Sequence, residues 1–140
     1  MTITEKIKKS VTTATGLPVF YQSAEQLNRI CDYTEYPCAY FFLLQTQGIS
    51  TENMTLREQV RVGVFFVNTT EFDFEAEQNE AIIQGCKENA FKWIATLPRD
   101  KYFRLVSIGQ SERLYDQFDA QLTGYCVNVV LEEIDGYCNG

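Results

Sequence analysis

The sequence predicts an α+β fold: a mostly antiparallel sheet of roughly four to six strands, one long helix across one face, and a short N-terminal helix. Three observations carry this. Apolar residues alternate over 56–67 and 125–133, the period of a strand. Apolar residues recur at helical spacing over 74–97. The strands fall in blocks before and after that helix, which separates α+β from the regular alternation of α/β. With 140 residues, 45% apolar and 22% charged, the chain is expected to form one domain, 1–140, with core enough to need no metal or disulfide.

Along the chain, Ile3, Ile7, Val11 and Ala14 share one face of a helix over 3–14. Gly16 and Pro18 end it. Val19–Tyr21 reads as a short strand. Residues 22–36 are polar, with helical turns expected over 24–31, and Tyr36-Pro37 is a break. Residues 38–46 read as a strand with Tyr40, Phe42 and Leu44 on one face and Ala39, Phe41 and Leu43 on the other. Both faces are apolar, so both must be covered. The long helix covers one. The N-terminal helix or a neighbouring subunit is expected on the second.

Gly48–Thr55 reads as a polar, protruding loop between this strand and the next, 56–67. In the long helix, Ile82, Ile83, Cys86, Ala90, Trp93, Ile94 and Leu97 form the apolar stripe. Asp73 suits its N-cap, and Pro98 its stop. Gly85 costs the helix roughly 1 kcal/mol relative to alanine, which suggests a close approach by another element. Strands are then expected at 101–108, 112–119 and 125–133, followed by a loose tail from Ile134.

Composition excludes several functions. Twelve basic and nineteen acidic residues give a net charge of −7, which disfavours binding to a nucleic-acid backbone. Lys6, Lys8 and Lys9 are read as a solvated helix face. There is no histidine, so no Ser-His-Asp triad, no Cys-His pair and no imidazole zinc site can form. No apolar run reaches the length of a membrane span. Met1–Ser10 lacks the apolar core of a signal peptide, so the five cysteines, Cys31, Cys38, Cys86, Cys126 and Cys138, are expected to be reduced intracellular thiols, mostly in the core.

The local clusters read as structure before chemistry. Glu71-Phe72-Asp73-Phe74-Glu75 suits a helix N-terminus, where the dipole favours negative charge; a hard cation is the alternative. Tyr115, Asp116, Phe118 and Asp119 suit a charged edge strand; paired catalytic carboxylates are the alternative. Cys31 and Cys38 flank Tyr36-Pro37 as separate thiols or as a redox pair. Trp93 is read as a core anchor, with an interface hot spot as the alternative. No catalytic, cofactor or metal residue is assigned.

The layout also resembles a family. An amphipathic helix leads into Thr15-Gly16-Leu17-Pro18-Val19-Phe20-Tyr21, a hairpin and a long helix follow, and the chain closes on Val127-Asn128-Val129-Val130-Leu131-Glu132-Glu133. This is similar to the small tail-terminator and tail-completion (head–tail joining) proteins of tailed bacteriophages. The resemblance implies a virion structural protein without cofactor or chemistry. It implies a ring, commonly a hexamer, that caps the tail tube, docks to the neck and lets DNA pass through an acidic lumen. Its partners would be copies of itself and other neck or tail proteins, assembled in the bacterial cytoplasm. Ile49 and Met54 in the polar loop, with Leu56 beside it, are the expected partner contacts. Rival readings are a small ligand-binding domain or enzyme using Asp116, Asp119 or a thiol, and an acidic adaptor for a basic protein.

Overall fold

Apolar alternation over 60–66 requires a strand with one face in the core, and that strand organises the sheet. The computed structural model describes residues 1–21, 36–42, 45–69, 76–117 and 122–138. Among them the chain forms α1 (Ile3–Thr15), β1 (Val19–Tyr21), β2 (Cys38–Phe41), β3 (Gln45–Glu52) and β4 (Thr55–Thr69). It continues with α2 (Ala76–Thr96), a 3-10 turn (Leu97–Arg99), β5 (Phe103–Gln117), β6 (Leu122–Glu133) and β7 (Tyr137–Cys138). The fold is α+β, with a mixed sheet.

Both edges of β4 are paired. On one side β6 runs antiparallel to it from Gln59↔Glu132 to Thr69↔Leu122, and β7 continues that edge at Leu56 and Thr55. On the other side β2 and β3 follow one another, Cys38 facing Val67 and Glu52 facing Thr55. β5 lies outside β6, antiparallel. β1 lies outside β2, parallel to it.

The helices share one side of the sheet. A capping box between Thr2 and Glu5 opens α1, and Gly16 closes it at φ 75°, where a side chain would be strained. Ile7 and Val11 of α1 meet Cys86, Ala90 and Trp93 of α2 over Ala39, Phe41, Val60, Val62, Val64, Phe66, Val127, Val129 and Leu131. All of these are almost completely buried. A fully buried side chain of this size contributes about 1.5–3 kcal/mol, so this layer dominates stability.

One polar chain crosses that layer. The Trp93 indole Nε1–H donates to Ser10 Oγ (2.9 Å), and Ser10 donates to Asp100 Oδ2 (2.5 Å). Asp100 Oδ1 accepts from the Tyr102 and Phe103 backbone N–H groups (2.7 and 3.1 Å). Each buried polar atom is thereby satisfied, and α1, α2 and the start of β5 are fixed together.

Several expectations are corrected. Among the described residues the sheet holds seven strands. Residues 38–46 do not form one strand: β2 ends at Phe41 and β3 starts at Gln45, with the register on β4 advanced by one residue between them. Residues 101–108 and 112–119 merge into β5, which follows β6 past Gly109 by register shifts at Leu105/Ser107, Ile108/Ser111 and Leu114/Gln117. The tail is not loose at Tyr137 and Cys138, where β7 pairs with β4. Nor does the N-terminal helix cover the second face, since it packs beside α2. On that face Cys38, Tyr40, Val67, Leu114, Leu122 and Cys126 form a second buried cluster within the single chain, so no neighbouring copy is required there. Tyr40 stacks on Phe65, with ring centroids 4.8 Å apart.

The expected helical turns at 24–31, the acidic run 71–75 with Asp73, and Cys31, Leu43, Leu44, Phe118 and Asp119 lie outside the described residues. The α2 stripe is as expected, with Trp93 fully buried. Gly85 is not: it is exposed, and among the described residues nothing lies within 4 Å of where its Cβ would be. The close approach occurs at Gly124 instead, where a Cβ would land on the Phe66 carbonyl and 2.9 Å from Val67 Cα.

Two opposite outcomes follow for one substitution type. Gly85→Ala should stabilise the protein by about 1 kcal/mol, because it removes a helix-interior glycine without a clash. Gly124→Ala should destabilise it by about 3 kcal/mol, because the β4 backbone must move. Urea unfolding of both variants measures the signs; a destabilised Gly85→Ala would show an unrecognised contact there.

Candidate interaction surface

β3 and β4 form a hairpin that extends past the helices. Its two central turn residues, Asn53 and Met54, have φ of 52° and 65°, the pattern of a type I′ turn that suits the twist of a hairpin. Asparagine tolerates this region; methionine pays about 1 kcal/mol for it. The protruding loop expected over Gly48–Thr55 is therefore a strand and a tight turn. A strand whose two faces both meet solvent carries no apolar alternation, so it reads as a loop.

The residues expected to meet a partner are placed together here. Met54 is 84% exposed at the tip, Ile49 67% on β3 and Leu56 45% on β4. Ile49 faces Glu58, and Leu56 faces Thr51. Leu56 and Glu58 continue the alternation that buries Val60 and Val62, so Ile49 and Leu56 lie on the helix side of the sheet, outside its core. Sequence reasoning missed two members of this surface. Tyr137 (66% exposed) faces Leu56 across β7, and Ile134 is also exposed. The signal was the pair of apolar residues in a segment read as a loose tail.

Polar contacts brace the hairpin root. Thr46 Oγ1 donates to Glu58 (2.6 Å), and Arg57 Nε donates to the Ile134 carbonyl (3.0 Å). Behind them Glu132 accepts from Gln59 Nε2 (3.1 Å) and from Arg104 Nε and Nη2 (3.1 and 2.7 Å). Hydrogen bonds from Ser50, Gln59 and Arg104 hold the Glu132 carboxyl down at about 2. A shallow, polar recess of about 430 Å³ lies beside this network, lined in part by Arg57, Arg104 and Glu132. At the far end of the sheet, Glu80 on α2 pairs with Arg113 and accepts from the Tyr115 hydroxyl (2.9 Å) on β5. Both partners lower the Glu80 carboxyl pKa.

Of the thiols, four lie among the described residues. Burial pushes the Cys38, Cys86 and Cys126 thiols up to about 12, away from a reactive thiolate. Cys138 is exposed on β7. Among the described residues, no three His, Cys, Asp or Glu side chains are grouped to hold a metal, and no helix is long and apolar enough to cross a membrane. No family model matches the chain, and no curated protein matches it.

The Glu132 network sets a pH dependence. The folded state binds a proton at Glu132 less readily than the unfolded chain, whose ordinary value is 4.5. Its stabilising share is complete above that value and is lost as pH falls toward about 2. The melting temperature of the wild type should drop across this window, and Glu132→Gln should flatten that part of the curve. Parallel curves for the two proteins would exclude Glu132 as the source.

Proposed function

We propose that this chain is a structural virion protein of a phage or prophage: a ring-forming tail terminator or head–tail connector component that caps the tail tube and docks to the neck. The observation that carries the reading is the projecting hairpin. A solvent-exposed methionine at positive φ, with Ile49 and Leu56 exposed along the same hairpin and Tyr137 beside Leu56, is costly in a free subunit and useful in a bound one. The layout of the sequence supports it. The partners on this reading are further copies of the chain and neighbouring neck or tail proteins, without cofactor. The excess of acidic residues suits a channel that DNA traverses without sticking.

Native mass spectrometry and negative-stain microscopy of the full chain test this, alone and with tail tubes. Closed rings with a mass that is a multiple of 16.1 kDa are expected. A 16.1 kDa species that stays monomeric at high concentration and leaves tube ends bare would overturn the reading.

A further inference from the structure

Among the described residues, two long strands have a side without a strand partner: β5 pairs only with β6, and β3 only with β4. Both are solvent-facing: every residue of β3 is at least partly exposed, and Arg104 and Val106–Arg113 of β5 are exposed. An open edge presents a row of unpaired backbone donors and acceptors, which natural proteins blunt with proline, lysine or short length. Neither strand contains proline or lysine, and they run for fifteen and eight residues. β5 carries three register shifts and the charges of Arg104, Glu112 and Arg113, which limit the stretch open to pairing to the part around Ile108.

The topology makes the two edges complementary. β3 is antiparallel to β4, β4 to β6, and β6 to β5. β3 and β5 therefore run in opposite directions at opposite edges. A second copy placed alongside in the same orientation brings its β3 antiparallel to β5 of the first, with the helices of both on one side. The exposed apolar residues agree. Ile108 on β5 is 53% exposed and faces Val129, a helix-side core residue. Ile49 on β3 lies on the helix side as well. The junction thus sets Ile108 and Ile49 on the same face of a continuous sheet.

We propose that β5 of one copy pairs antiparallel with β3 of the next, a head-to-tail contact that extends the sheet between subunits. The proposal rests on the ring reading and adds the surface that builds the ring. The occupant is a second copy because this chain itself carries the matching edge with its apolar residue on the matching face. A head-to-tail contact leaves one free edge at each end of any open oligomer; it closes into a ring where the rotation per subunit closes and otherwise extends as an open filament.

Ile108→Lys blocks one edge and Ile49→Lys the other. Both side chains are more than half exposed in the monomer, so each variant should fold, as circular dichroism and thermal melting would verify. Each alone should weaken self-association by about tenfold or more. An equimolar mixture should form a one-to-one heterodimer and nothing larger, through the intact β5 of Ile49→Lys and the intact β3 of Ile108→Lys. Wild-type rings from both variants would overturn the pairing and leave the ring reading standing. Assembly lost in Ile108→Lys but kept in Ile49→Lys would overturn it in favour of β5 pairing with itself. A wild type that stays monomeric at high concentration and leaves tube ends bare would overturn the ring reading and this contact together.

Discussion

Everything in the fold depends on β4 being paired along both edges while one of its faces is sealed. Val60, Val62, Val64 and Phe66 can leave water only if β6 and β2 satisfy the backbone beside them. They stay dry only if Trp93 and its neighbours close over them. Neither condition is met without the other. The helices lack a surface until the strands are aligned, and the strands have no reason to hold one register until the helices select a face. Gly124 belongs to the same constraint, because it lets β6 lie against the Phe66 backbone in the register that the core demands.

The polar contacts supply position rather than bulk stability. Ser10, Asp100 and Trp93 determine where α1 meets the end of α2. Lys6 reaches Glu133 at 3.0 Å and pins α1 to the end of β6. Arg104 and Gln59 meet at Glu132, one residue away, so the β5–β6–β4 register is marked at that end of the sheet. At the other end, Glu80 and Arg113 tie the first turns of α2 to β5. The apolar layer holds the molecule together, and these joints choose among the ways it could slide.

How much of this was legible in the sequence follows from how each element meets solvent. α1, α2, β4 and β6 were readable because each divides its residues between core and water, which imprints a period. β3 was not, because both of its faces are wet. β5 reads as two strands, 101–108 and 112–119, because its polar middle carries no apolar alternation, yet pairing with β6 carries the backbone through Gly109. The apolar faces around Tyr40 and Phe41 correctly required two covers, but a pattern states that a face is covered, never by what. Of the interaction surface, Ile49, Met54 and Leu56 stood out as apolar residues in a polar segment. Tyr137 and Ile108 did not, since exposure in a paired strand depends on where the neighbouring helix stops.

The continuity of β4 also has a mechanical side. One strand of fifteen residues, about 50 Å of extended chain, runs from the hairpin tip at Thr55 into the sealed layer under Trp93. Force applied at Met54 is not absorbed by a flexible linker. It loads the ladders on both sides of β4 in shear, where many hydrogen bonds share it at once. The hairpin is thus a stiff lever with its fulcrum in the core, and a displacement of its tip is felt under Trp93.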